Sequence, residues 1–155
     1  RDVPVIGIID QPMTGERWVG VAGRPTLYRG PWGDGVATAR ACPQLGAAEL
    51  SCTAPEMIAA APVPHWPALQ GATRRTTWGG DCYTYGLLAL GHVDVIAECA
   101  MKVWDWAALV PVVEGAGGRV TDWAGHPLRA DGDGTVLAVG DPALLRPATT
   151  LLAGG

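Results

Sequence analysis

The sequence predicts an α/β fold in which sheets and helices stack in layers, and three observations carry that prediction. After residue 70, strand-like and helix-like segments alternate. Before residue 30, short β-branched runs follow one another across turn residues, as antiparallel strands do. The 155 residues are 48% apolar with a net charge of −4, a balance that buries a core and argues against a disordered chain.

The elements follow in order. Residues 3–10 (VPVIGIID) are apolar and β-branched, and Pro12 stops them. Residues 18–22 (WVGVA) come next, across the turn chemistry of Thr14-Gly15-Glu16, so the two runs read as a hairpin or adjacent antiparallel strands. Residues 26–28 add a short third strand. Residues 29–46, rich in Gly, Pro and Ala, read as a loop that crosses to a second domain. The chain thus divides into residues 1–45, an antiparallel α+β piece, and residues 46–155, an α/β domain. Residues 48–53 read as a strand, and residues 55–61 as a short helix ended by Pro62, Pro64 and Pro67. Residues 74–78 are a strand closed by Gly79-Gly80. Residues 81–90 are a helix: Asp81 stands where an N-cap belongs, Tyr85, Leu88 and Ala89 share a face, and Gly91 ends it with His92 in the following turn. Residues 93–99 are a strand. Residues 104–114 are a helix that Pro111 should kink, terminated by Gly115-Ala116-Gly117-Gly118. Residues 119–123 and 135–139 are strands on either side of Asp131-Gly132-Asp133-Gly134. Asp141 caps a last helix over residues 142–152, with Pro142 in a tolerated first-turn position.

Composition excludes several function classes. The 22 Gly have no three-residue period, so the chain is not collagen-like. No apolar run approaches the roughly 20 residues that cross a bilayer. Ten Arg and one Lys lie scattered against 15 acids, which builds no phosphate-tracking stripe, so neither nucleic acid nor membrane is an expected partner. Cys42, Cys52, Cys82 and Cys99 have no C-x-x-C or zinc spacing, and reduced, mostly buried thiols in a cytoplasmic protein are expected. His65, His92 and His126 show no ligand spacing either. Residue 1 is Arg and no secretory pattern is visible.

Three acids stand out: Asp81, Glu98 and Asp105. Each has an ordinary explanation. Asp81 and Asp105 open helices, where they cap N–H groups or meet the dipole, and a strand glutamate commonly faces water. The sharper reading is that strand ends and helix starts meet at one edge of an α/β sheet, where carboxylates converge on a ligand. One carboxylate oxygen can cap a helix while the other binds a hard cation such as Mg²⁺. Of the neighbours, Lys102 and the pair Arg74-Arg75 are expected at the surface. Of Trp104 and Trp106, one is expected in the core and the other at the pocket.

The residues also carry a resemblance. Trp104-Asp105-Trp106-Ala107-Ala108 followed by Glu114-Gly115-Ala116-Gly117-Gly118 resembles the W-D-x-A-A…E-A-G-G signature of inositol-monophosphatase-like phosphatases, with Gly115 where that family often has Ala. Trp78-Gly79-Gly80-Asp81-Cys82-Tyr83, then Gly91-His92-Val93-Asp94, resembles the histidinol-phosphate phosphatase branch of that superfamily, as do Ile6 to Pro12 and Glu16 to Gly23. The similarity is weakest over residues 54–73. It implies the layered sandwich of the inositol monophosphatase and fructose-1,6-bisphosphatase type. It also implies Mg²⁺-dependent hydrolysis of a small phosphate monoester by water. By the same resemblance Asp105 ligates a metal ion, Glu98 meets the organic part of the substrate, Gly79 and Gly80 let backbone approach it, and Asp81 replaces a small residue of inositol phosphatases. Two carboxylates favour a cationic substrate, so histidinol phosphate, an intermediate of histidine biosynthesis, is expected over inositol phosphate.

One departure matters. The family's D-P-[IL]-D-G-T metal motif and the glutamate upstream of it are absent; in the family both precede the segment matched by the start of this chain. Asp10-Gln11-Pro12 is not a substitute, because it matches the strand that follows. The expectation is a C-terminal part lacking the N-terminal half, with no certain catalytic residue of its own to activate the nucleophile, and inactive or nearly so alone. The alternatives are another phosphatase of the superfamily, acting on inositol phosphate or a nucleotide phosphate, and a non-catalytic fragment that binds or dimerises. A homodimer is the candidate assembly.

Overall fold

The computed structural model describes residues 3–61 and 63–154. The chain opens with an antiparallel meander of β1 (Ile6–Gln11), β2 (Glu16–Val21), β3 (Leu27–Gly30) and β4 (Gly33–Val36), paired in sequence order. The expected hairpin and third strand are present, with Ile9 opposite Trp18. The expected loop over residues 29–46 is in part a strand. Gly30 pairs with Gly33 across a two-residue turn, and Gly33 takes φ 126°, so a stretch that looks like loop by composition closes a hairpin instead.

A second, five-stranded sheet has the order β6-β5-β7-β9-β8, built from β5 (Glu49–Cys52), β6 (Arg75–Trp78), β7 (Val95–Glu98), β8 (Arg119–Thr121) and β9 (Val136–Val139). β6 and β7 run parallel to β5, and β9 runs antiparallel to both β7 and β8. All residues of β5, β7 and β9 are buried, as in a sheet covered on both faces.

Among the described residues, six α-helices cover the sheets: α1 (Pro55–Ala60), α2 (Trp66–Ala72), α3 (Asp81–Ala89), α4 (Val103–Trp106), α5 (Leu109–Gly115) and α6 (Leu145–Leu152). Ile9 and Trp18 from the first sheet share one core with Leu88 of α3, Val112 of α5, and Ile96 and Val120 of the second sheet. The far face of the second sheet turns Leu50, Val95 and Leu137 onto Trp66 and Leu69 of α2, and onto Leu144 and Ala148. The layers therefore run sheet, helices, sheet, helices, as the alternation of sequence elements predicts. Gly7 and Gly20 let the first sheet lie against α5: a Cβ at Gly7 would strike the Ala108 carbonyl, and one at Gly20 the Pro111 backbone.

Further expectations are corrected or refined. α2 was not anticipated, because Pro64 and Pro67 read as terminators; Pro67 instead occupies the first turn, where its missing N–H costs nothing. Pro62 lies outside the described residues. The single helix over 104–114 is two, α4 and α5, broken before Leu109, with Pro111 in the first turn of the second. Asp81 is not the N-cap of α3: Gly80 holds that position, and Asp81 sits at φ 44°. Arg74 and Arg75 are exposed as expected, yet both pair with the buried Glu49. Asp141 caps a 3₁₀ turn, Pro142–Leu144, that leads into α6, its side chain accepting from the Ala143 N–H at 2.9 Å.

Between the sheets, Arg40 ties the crossover to the second sheet. Its guanidinium donates to both oxygens of the buried Asp94, at 2.7 and 2.5 Å, and the Glu49 N–H donates to the same carboxylate at 2.8 Å. The four cysteines are unpaired; three are buried and Cys82 is exposed. No helix among the described residues is long and apolar enough to cross a membrane.

Candidate active site

Because β5, β6 and β7 are mutually parallel, their carboxyl ends open on one edge, where ligands of open α/β sheets bind. Three chain segments leave that edge. β5 delivers Thr53, β6 runs into Gly79-Gly80-Asp81, and β7 ends at Glu98 before the loop to α4 and Asp105. A cleft of about 450 Å³ forms there, lined among others by Thr53, Asp81, Cys82, Tyr85, Glu98, Trp104 and Asp105. The three acids singled out in the sequence thus meet at one cavity.

Local backbone explains how they are aimed. Gly79, Gly80 and Asp81 all have positive φ, at 91°, 89° and 44°. The Gly79 N–H bonds to the Cys52 and Thr53 carbonyls at 3.2 and 2.9 Å, fastening the turn to the end of β5. The two glycines set this turn and do not themselves line the cleft; Asp81 does. Ala100, also lining the cleft, has φ 60°. Asp81 and Ala100 are the only non-glycine residues with positive φ among the described residues, so the backbone strain of the molecule is concentrated at this cavity, as functional sites often show.

Glu98 is 4% exposed, and Thr53 Oγ1 donates to its Oε1 at 2.8 Å. Burial lifts its carboxyl above the ordinary glutamate range; the Thr53 hydrogen bonds oppose this, and the charges of Asp81 and Asp105 add to it. Glu98 is therefore a buried cleft acid and not a solvent-facing strand residue. Asp105 is exposed and its Oδ2 accepts from the Lys102 N–H at 2.8 Å, which leaves its other oxygen free. Trp106 is buried, while Trp104 is 78% exposed at the cleft, the division expected of that pair. Thr53, Tyr85 and Ala100 were not anticipated as cleft residues. Nothing in their type or spacing marks them; only the parallel alignment of β5 with β7 brings Thr53 to Glu98.

The fit to a metal ion is partial. A free oxygen on Asp105 suits a hard cation, but among the described residues no group of three His, Cys, Asp or Glu side chains is placed to hold one. The donor set present does not complete a divalent-cation site, and no chemical step is derived through one.

A strained, acid-lined cleft at the carboxyl ends of parallel strands in a layered α/β sheet is the kind of site in which enzymes of this architecture hold small molecules. Residues 1–150 match the inositol monophosphatase family, and the chain belongs to it. It is 42% identical over 122 residues to the bifunctional phosphatase IMPL2, chloroplastic, of Arabidopsis thaliana, a match covering 79% of this chain and 34% of that protein. It is 33% identical over 137 residues to a histidinol-phosphatase of Mycobacterium tuberculosis, covering 79% of this chain and 48% of that protein. Among solved structures, an inositol monophosphatase from Zymomonas mobilis superposes with a TM-score of 0.89 at 45% identity, over 97% of this chain and 58% of that one. The inositol monophosphatase of Anabaena (Nostoc) sp. PCC 7120, at 24% identity and a TM-score of 0.81, shares the fold. The chain spans a third to a half of the length of these two curated relatives.

Proposed function

We propose that this member of a phosphatase family serves the Mg²⁺-dependent hydrolysis of histidinol phosphate to histidinol, with water as the nucleophile. The observation that carries the proposal is the convergence of Asp81, Glu98 and Asp105 on one cleft. Histidinol phosphate carries an ammonium and an imidazole. Asp81 and Glu98 offer these groups charge-assisted hydrogen bonds, which a neutral polyol cannot match. Asp105, with its free oxygen, would be one ligand of the cation, whose remaining ligands would come from outside the 155 residues. Gly79 and Gly80 hold Asp81 in place for the substrate. We propose likewise that the 155 residues alone are inactive or nearly so, because the cation ligands other than Asp105 are supplied from outside them. The name of the Mycobacterium tuberculosis relative, a histidinol-phosphatase, supports this substrate.

A second reading, inositol phosphate, draws on the 45% identity to an inositol monophosphatase. Comparing kcat/KM for the two esters in the whole protein separates them, and a preference for inositol phosphate overturns the proposal. Asp81→Ala is expected to raise KM for histidinol phosphate about tenfold or more, the worth of one charge-assisted hydrogen bond. Turnover of a simple aryl phosphate should change far less. Equal losses on both substrates would remove Asp81 from specificity. Mg²⁺-dependent turnover by the isolated chain would overturn the assignment of outside ligands.

A further inference from the structure

Two buried side-chain atoms among the described residues lack a hydrogen-bond partner, Trp18 Nε1 and the Tyr85 hydroxyl. Trp18 sits in the core between the first sheet and the helices. Tyr85 is different: it is 1% exposed, stands on the second turn of α3, and lines the cleft with Glu98. An unpaired buried hydroxyl is costly to keep, and phenylalanine would fill the space without that cost. Glu98 can accept more than Thr53 supplies, because an ionised carboxylate has about four acceptor sites.

We infer that the Tyr85 hydroxyl is a positioning donor for Glu98, engaging its carboxylate when a cationic ligand occupies the cleft. The inference rests on the reading that Glu98 receives the organic part of the substrate. A ligand N–H draws on one oxygen of the carboxylate, and a second donor from the same cleft lining fixes the plane in which that bond is made. Hydrogen bonds to an ionised acceptor are roughly twice as strong as neutral ones, so the donor that is idle in the empty cleft gains its partner on binding. Burial holds the Tyr85 phenol well above the ordinary tyrosine range, with the Glu98 and Cys52 charges adding to this; the group stays protonated and remains a donor. Tyr85 touches no reacting atom in this arrangement and acts through Glu98.

The test uses the full 155-residue chain and L-histidinol, titrated by NMR, with thermal unfolding measured alongside. Tyr85→Phe is expected to be as stable as the parent or more stable without ligand, and to bind L-histidinol about 5- to 10-fold more weakly. In a Glu98→Gln background the same substitution should add little, a non-additivity that a merely structural role would not produce. Unchanged affinity, an additive loss in the Glu98→Gln background, or a ligand-free chain clearly destabilised by Tyr85→Phe overturns the inference. myo-Inositol is the second probe. If the chain prefers it and the tyrosine dependence follows it, the substrate reading falls and the positioning role stands. If neither probe binds, both fall.

Discussion

Glu98 concentrates the electrostatics of the cleft in one side chain. It is buried, it receives a hydrogen bond from Thr53, and Asp81 and Asp105 stand across the same cavity. Its carboxyl is lifted by burial and, further, by those two acids, against the Thr53 bonds. The consequence for stability has a definite sign. A carboxyl that titrates higher folded than unfolded binds more protons in the native state, so its contribution is present below the ordinary glutamate pKa and is lost as pH rises through the lifted value. Glu98→Gln keeps an acceptor for Thr53 and removes the charge. The variant should therefore match the parent near pH 4 and exceed it in Tm near pH 7 without ligand. Melting curves at both values check this, and a variant less stable at neutral pH contradicts it. Cys52 and Cys99, which the same carboxylate also holds above the ordinary thiol range after burial, change little between these pH values.

At the scale of elements, the contact between the first sheet and α5 depends on two positions without side chains. Gly20→Ala would drive a Cβ into the Pro111 backbone, and backbone cannot yield as a side-chain tip can. A loss of about 2–3 kcal/mol, at the upper end of overpacking costs, is expected. Gly35→Ala on β4, where a Cβ meets nothing within 4 Å, should change stability little; chemical denaturation of the pair checks both. Neither glycine's role is legible in the sequence, where Gly7 and Gly20 simply interrupt apolar runs. The strands themselves were legible from those runs, and so were the helix over Asp81–Ala89 and the cap at Asp141. Composition failed at β4, where glycine serves a tight return. It failed again at α2, where proline opens a helix instead of ending one. At the site, the sequence marked the acids but not Thr53 or Tyr85, because a neutral side chain becomes a cleft residue only through strand alignment.

At the scale of the whole molecule, a shared core, the Arg40–Asp94 ion pair and hydrogen bonds such as Thr26 Oγ1 to the Val112 carbonyl join the first sheet to the rest of the described residues. We propose that residues 1–45 and 46–155 act as separate folding units. Ile9, Trp18 and Ala37 represent the first unit in the core it shares with α3 and α5. Arg40 reaches from the first to Asp94 in the second. Against the burial penalty, Arg40 and the Glu49 N–H hold the Asp94 carboxyl below the ordinary aspartate range. This contribution is present above that range and lost as pH falls through the lowered value. Arg40→Ala leaves the carboxylate unpaired in the interior and should cost about 2–3 kcal/mol, somewhat under the figure for a fully buried pair because the guanidinium is 44% exposed. Hydrogen exchange should show β1 to β4 losing more protection than β5, β7 and β9 in that variant. Equal loss in both sheets would argue for a single unit.

The parallel run of β5, β6 and β7 has a consequence for how such a protein diversifies. Each strand hands one wall of the pocket to its own loop, and the ladder that aligns the loops lies behind them. The Gly79–Asp81 turn meets that ladder through the Gly79 N–H, bonded to the Cys52 and Thr53 carbonyls, so another three-residue sequence of the same handedness has that donor to keep. On the proposed function, substrate choice is in this sense a detachable module, carried on a frame that does not need to be rebuilt when the module is replaced.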